Sequence, residues 1–159
     1  MLQRQGRFDG AKDAFQRSYD LLVKLGDDRG QAMVLTGLGG VLQRQGRSSE
    51  ALSAYENSVA LGRKLRDMRH LAIVCTALGK FHLAQRRPLD AIKALDEAFD
   101  IEVGFRNKRG MNLVLGSLLR ALRITGDRRR AIGVCEAALR LVPSDPFLHE
   151  NLARLKALN

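Results

Sequence analysis

Lys80 and Arg120 stand forty residues apart, and Arg44 and Arg123 lie close to the same register. Fixed cations at a regular spacing suit one chemistry well. They form charge-assisted hydrogen bonds to carboxylates, which are shorter and stronger than neutral ones. From Arg29 to Gln45, Arg69 to Arg86 and Arg109 to Thr125 the chain carries Arg29, Arg44, Arg69, Lys80, Arg86, Arg109, Arg120 and Arg123, and neither Asp nor Glu. Acids gather elsewhere, as at Asp96, Glu97, Asp100 and Glu102. This segregation predicts a positive face suited to an acidic peptide or a C-terminal carboxylate. Thr36, Ile73, Leu83 and Leu113 stand beside the cations as contact residues. The competing reading is a solvated basic surface that binds nothing.

Other chemistries find less support. His70, His82 and His149 are far apart in sequence, and no serine or cysteine sits in a nucleophile motif. Cys75 and Cys135 are too few and too distant for a disulfide framework or a zinc cluster. The expectation is therefore no enzyme, no metal and no cofactor, in a reducing cytoplasm. Gly37-Leu38-Gly39-Gly40 has the look of a phosphate loop but lacks the strand and the Lys-Ser/Thr pair such a loop requires. Helical glycines cost about 1 kcal/mol each, so these need a reason. Close helix packing accounts for Gly39, while Gly37 and Gly40 are expected to leave the floor of a binding face open.

The formal charge of +10 also invites nucleic acid. Single-strand binding adds aromatic platforms to a basic surface, and the basic segments contribute only Phe81 in a chain without Trp. Arg63-Lys64-Leu65-Arg66 and Arg128-Arg129-Arg130 read as solvated edges. Nucleic acid is disfavoured on that ground. No uncharged apolar run approaches a membrane span, so no membrane partner is expected.

What positions the cations is a repeat. Leu2-Gln3-Arg4-Gln5-Gly6-Arg7 returns unchanged as Leu42-Gln43-Arg44-Gln45-Gly46-Arg47. Ala11, Ala51, Ala91 and Ala131 superpose on the same offset, as do Leu21, Leu61, Ile101 and Leu141. Gly6, Gly46 and Gly126 align as left-handed helix stops, with Arg86 as the exception. Ala32, Leu35, Leu38 and Leu42 form one helical stripe before Gly46, and Ala51, Leu52, Tyr55, Val59 and Leu65 another after it. Ser48, Asp127 and Asp145 are placed as N-caps, and Pro88 and Pro146 suit a first turn. Strand alternation is absent. The chain is predicted all-α, a stack of antiparallel helix pairs, because one pair cannot bury its own apolar faces.

The residues inside the unit resemble the tetratricopeptide repeat, whose pattern is W-x2-L-G-x2-Y followed by A-x3-F. The corresponding residues are Leu35, Leu38, Gly39, Leu42, Ala51 and Tyr55, then Cys75, Leu78, Gly79, His82, Ala91 and Leu95, then Leu115, Leu118, Leu119, Leu122, Ala131 and Cys135. The period of forty resembles the long variant of kinesin light chains, LGN-type adaptors and bacterial regulators. The resemblance implies a right-handed α-solenoid that binds proteins or peptides along the concave face lined by the first helices. It implies buried, inert thiols at Cys75 and Cys135 and a packing role for His82. It divides the single domain 1–159 into a partial repeat 1–27, repeats 28–67, 68–107 and 108–143, and a capping helix 144–159. The Asn with which long-repeat members grip a peptide backbone is replaced by Gly37, Ala77 and Ser117, and only Asn151 matches. The first unit lacks most of its first helix, so Phe15, Tyr19 and Leu22 are expected to be partly bare. A homodimer or upstream repeats would cover that edge.

Overall fold

The computed structural model describes the backbone of residues 2–157 and the side chains of residues 8–157. Among the described residues it holds eight α-helices and no strand: α1 Leu2–Leu25, α2 Asp28–Arg44, α3 Ser48–Lys64, α4 Met68–Ala84, α5 Pro88–Gly104, α6 Lys108–Thr125, α7 Arg128–Leu141 and α8 Pro146–Ala157. They form two compact units, Met1–Phe81 and His82–Asn159, divided inside α4.

One turn, used six times, sets the helix lengths. At the end of α2, Arg47 N–H donates to Leu42 O at 3.0 Å and Gly46 N–H donates to Gln43 O at 3.1 Å. These two bonds satisfy carbonyls that the helix end leaves open. The same pair of bonds recurs at residues 26 and 27, 66 and 67, 86 and 87, 106 and 107, and 126 and 127. The left-handed residue therefore falls at 26, 46, 66, 86, 106 and 126, one every twenty residues. It is glycine at Gly26, Gly46 and Gly126 but arginine at Arg66, Arg86 and Arg106, with φ of 53°, 57° and 53°. Arg86, the exception in sequence, is no exception in conformation.

The residue after each stop is also the N-cap of the next helix. Asp27, Asn107 and Asp127 accept from the amides of Gly30, Gly110 and Arg130, and Asp67 from that of His70 at 3.0 Å. Arg47 and Arg87 cannot accept; each instead pairs three residues on, with Glu50 at 2.5 Å and Asp90 at 2.8 Å. Ser48, expected as an N-cap, is the first residue of α3, and Arg47 occupies the cap position. Asp127 and Asp145 do cap, the latter accepting from Leu148 N–H at 3.1 Å. Gly6 is a further correction, because α1 runs through it from Leu2 to Leu25.

In unit 1, Ala32, Leu35, Leu38 and Leu42 of α2 meet Ala51, Ala54, Tyr55 and Val59 of α3, all buried. Leu65, expected in that stripe, is exposed at the C-cap of α3. A Cβ on Gly39 would stand 2.8 Å from the Tyr55 ring, so only glycine lets α2 and α3 approach this closely. Gly37 proves to be a packing glycine too. The Phe15 ring of α1 lies where its Cβ would be, at 2.6 Å, and this fills the space expected to be open. Gly40 has only the Tyr55 hydroxyl nearby, at 3.7 Å. Tyr55 in turn tilts against Phe81 of α4, with ring centroids 5.8 Å apart.

In unit 2, Ala91, Leu95 and Ala98 of α5 are buried with Met111, Leu118 and Leu122 of α6 and Ala131, Cys135 and Ala138 of α7. Fully burying a side chain the size of Leu contributes about 1.5–3 kcal/mol, so α6, with five large residues buried at helical spacing, anchors this unit. Leu148 fixes α8, and the Arg128 guanidinium donates to the carbonyls of Leu155 and Lys156 at its C-terminus. Leu152 and Leu155 are half-buried.

Candidate functional site

Each first helix starts from the same capped turn, so residues forty apart occupy the same place on α2, α4 and α6. On each helix by itself the solvent side begins with Arg29, Arg69 or Arg109, continues one turn on with Met33, Ile73 or Leu113, and reaches Gly40, Lys80 or Arg120 two turns later. Met33, Ile73 and Leu113 are 62%, 60% and 60% exposed. Each of these large apolar side chains is left mostly in water on its own helix, Met33 and Ile73 in unit 1 and Leu113 in unit 2. Met33 was not among the expected contact residues, although its place forty residues before Ile73 carries the signal.

The cations divide by what they touch. Arg29 is held by Asp67, the N-cap of α4, at 3.1 Å. Arg44, Lys80, Arg120 and Arg123 are exposed and make no ion pair among the described residues. On the acid side, Asp28 is taken by Lys64 at 2.6 Å, Asp96 by Arg130, Glu136 by Lys156 and Glu150 by Arg154. Much of the carboxylate of this chain is thus committed internally, leaving unpaired positive charge on the first helices.

Unit 1 holds Met33 and Arg44 on α2 and Ile73 and Lys80 on α4, all exposed. In unit 2, Leu113, Arg120 and Arg123 project from α6, with the exposed Ile124 beside them. Thr36 is turned away from this face: half-buried, it hydrogen-bonds the Ser58 hydroxyl of α3 at 2.8 Å. Leu83 is half-buried. Asn151 spends its amide on Phe147 O in its own helix, at 2.8 Å.

The buried polar groups are structural. The Ser58 hydroxyl lies 2.7 Å from Ala32 O and 2.8 Å from His70 Nε2, tying α2, α3 and α4. Burial holds His70 below the ordinary imidazole range; Asp67 opposes this and Arg29 reinforces it. Burial also raises Tyr55, against the charge of Arg44. The Cys135 thiol is pushed up by burial and by Glu136, which disfavours the thiolate needed for nucleophilic chemistry. Phe81, the one aromatic available as a base-stacking platform, is buried against Tyr55. No described helix is long and apolar enough to cross a membrane, and no three His, Cys, Asp or Glu among the described residues gather as a metal site.

Capped helix pairs in forty-residue register, with a Leu-Gly contact inside the pair, define an α-solenoid of the tetratricopeptide type. Residues 1–64 match the family model of the tetratricopeptide repeat. No curated protein matches its sequence. Among solved structures it is similar to BtubC (BKLC) from P. vanneervenii, at 18% identity and a TM-score of 0.77 over 96% of this chain and 66% of that one. It is likewise similar to a Podosopora anserina protein described as a kinesin light chain with nearly identical TPR-like repeats, at 19% identity and a TM-score of 0.76, over 96% and 79% of the two chains. MamA is similar at 19% identity and a TM-score of 0.64, over 96% and 74%. At such identities the likeness is one of fold. Tetratricopeptide repeats are in general protein–protein interaction scaffolds, typically without catalysis of their own.

Proposed function

We propose that the chain is a cytoplasmic protein-binding module whose first helices take an acidic segment of a partner protein, as an extended peptide or a helix with apolar anchors. The observation that carries this reading is the register of Met33, Ile73 and Leu113, each exposed one turn beyond an arginine and two turns before Gly40, Lys80 or Arg120. Apolar anchors supply buried area, and the unpaired cations select carboxylates and reject basic competitors. Because the side chains stand on helices held by capped turns at both ends, little ordering is needed on binding. The lack of an Asn ladder means that recognition rests on charge and apolar contact.

The reading is tested with a fluorescent peptide that alternates glutamate and leucine. Lys80→Glu combined with Arg120→Glu abolishes its binding in anisotropy titrations while the far-UV circular dichroism stays unchanged. Undiminished binding by the double variant would remove the charge argument. Preference for single-stranded DNA over the peptide at equal salt would replace the partner class altogether.

A further inference from the structure

Within unit 2, α8 stands in register with α6 at the ordinary repeat length of about thirty-four residues. Asn151-Leu152 fall where α6 has Ser117-Leu118, and on that alignment Leu148 matches Val114, both fully buried. One residue earlier Phe147 matches Leu113, and both are left largely in water, at 52% and 60% exposure. Two turns further on Arg154 matches Arg120, and both are exposed. The solvent side of α8 therefore copies that of α6, an apolar residue followed by a cation on the same face. Leu113 is exposed although α7 and α8 follow it in the chain, so exposure at this place belongs to the helix face itself.

The two helices differ at the position between anchor and cation. There α6 has Gly116, whose Cβ would meet nothing within 4 Å, and α8 has Glu150. Glu150 lies one turn beyond Phe147 and one turn before Arg154, whose Nη2 it meets at 2.6 Å. Arg120, by contrast, makes no ion pair among the described residues. Both members of the Glu150–Arg154 pair are exposed, and such a pair contributes at most about 1 kcal/mol. A carboxylate from outside can take the place of Glu150 when its own chain also buries apolar area on Phe147. A neutral segment gains the apolar contact alone and leaves the pair standing.

We propose that α8 is part of the partner-binding face: Phe147 is an apolar anchor, Arg154 receives a carboxylate, and Glu150 is a built-in competitor that an acidic segment must displace. This rests on the reading of the first helices as the place where an acidic, apolar segment binds, and it assigns three further residues to that face. Unit 2 then presents two pairs of like chemistry, Leu113 with Arg120 and Phe147 with Arg154. Its ligand is a segment with at least two carboxylates interleaved with apolar side chains. Glu150 sharpens the choice, because only an acidic ligand recovers what displacing it costs.

Anisotropy titration of the 159-residue chain with the glutamate–leucine peptide tests it, with a glutamine–leucine peptide as the neutral probe. Phe147→Ala should weaken binding of the acidic peptide roughly tenfold, as loss of an aromatic anchor does. Glu150→Gln should do the opposite and tighten it roughly threefold, the scale of an exposed pair, with no gain for the neutral peptide. Adding Arg154→Gln to Glu150→Gln should cancel that gain. All three positions are exposed, and circular dichroism checks that helicity is kept. A gain that survives the loss of Arg154 would mean that Glu150 acts by general repulsion, and it overturns the competitor role. Binding unchanged by Phe147→Ala, yet abolished by Lys80→Glu with Arg120→Glu, removes α8 from the face and leaves the reading of the other first helices standing. A wild-type chain that does not bind the acidic peptide overturns both.

Discussion

Where α3 meets its neighbours, unit 1 carries Ser58 and His70; forty residues on, unit 2 carries Ala98 and Gly110 at the same two places. The backbones run alike, but the means of holding them differ. In unit 1 the Ser58 hydroxyl has one proton and three close partners: Ala32 O at 2.7 Å, Thr36 Oγ1 at 2.8 Å and His70 Nε2 at 2.8 Å. A carbonyl only accepts, so Ser58 donates to Ala32 O and accepts from His70 Nε2–H and the Thr36 hydroxyl. That arrangement leaves no short contact without a proton. In unit 2 these two positions carry neither the hydroxyl nor the imidazole. Ala98 is fully buried, and a Cβ on Gly110 would lie 2.2 Å from the Glu102 carboxyl. Close approach replaces hydrogen bonding, and the lesson is that the repeat specifies a spacing which either kind of contact can satisfy.

The comparison is sharpened most by core truncation. Leu118→Ala, at a fully buried position of α6, should cost about 2–5 kcal/mol in urea unfolding. Ser58→Ala strands the His70 Nε2–H and should cost about 1–3 kcal/mol. If Ser58→Ala proves neutral, unit 1 is held by packing like unit 2 and the contrast fails.

Acidity should separate the units next. As pH falls below the ordinary imidazole value of about 6.5, an unfolded chain takes up a proton that burial keeps from His70. Unit 1 therefore loses stability as pH falls through that window toward the lowered folded value. In unit 2 the sign reverses. Burial lifts Asp96 above the usual carboxylate range despite Arg130, so its contribution is full below the ordinary carboxylate value and is lost as pH rises through the raised one. Amide hydrogen exchange of α3 and α4 between about pH 7.5 and about pH 5 should show protection falling in wild type but not in His70→Gln. Equal slopes in the two would remove His70 as the cause.

The smallest effect concerns the turns. Arg66, Arg86 and Arg106 hold the left-handed conformation that Gly26, Gly46 and Gly126 hold without strain. Arg106→Gly should raise the melting temperature slightly, through relief of strain worth roughly 1 kcal/mol that is offset in part by the added freedom of glycine in the unfolded chain. A fall in melting temperature would mean that the arginine side chain contributes a contact of its own.

The forty-residue period and the helix pairs were legible in the sequence because apolar spacing and repeated small residues mark them directly. The true turn period of twenty was not. Three of its six left-handed stops are arginines, and two of the residues that stand as both stop partner and N-cap, Arg47 and Arg87, cannot accept a hydrogen bond. Gly6 misled in the opposite direction, since a glycine permits a left-handed stop but does not require one, and α1 runs through it. At the candidate site the lone cations were readable, whereas the inward turn of Thr36 was not, because it depends on Ser58, a partner twenty-two residues away. Phe15 filling the space over Gly37 is likewise a contact between helices that no local pattern announces.

The central claim is that the solvent face of the first helices is where a partner protein binds. Chemical-shift mapping of the isotope-labelled chain with the glutamate–leucine peptide tests it most directly. The account predicts shifts concentrated at Met33, Ile73 and Leu113 and at Arg44, Lys80 and Arg120. Shifts confined to the second helices or to the turns around Arg66 and Arg106 would contradict it.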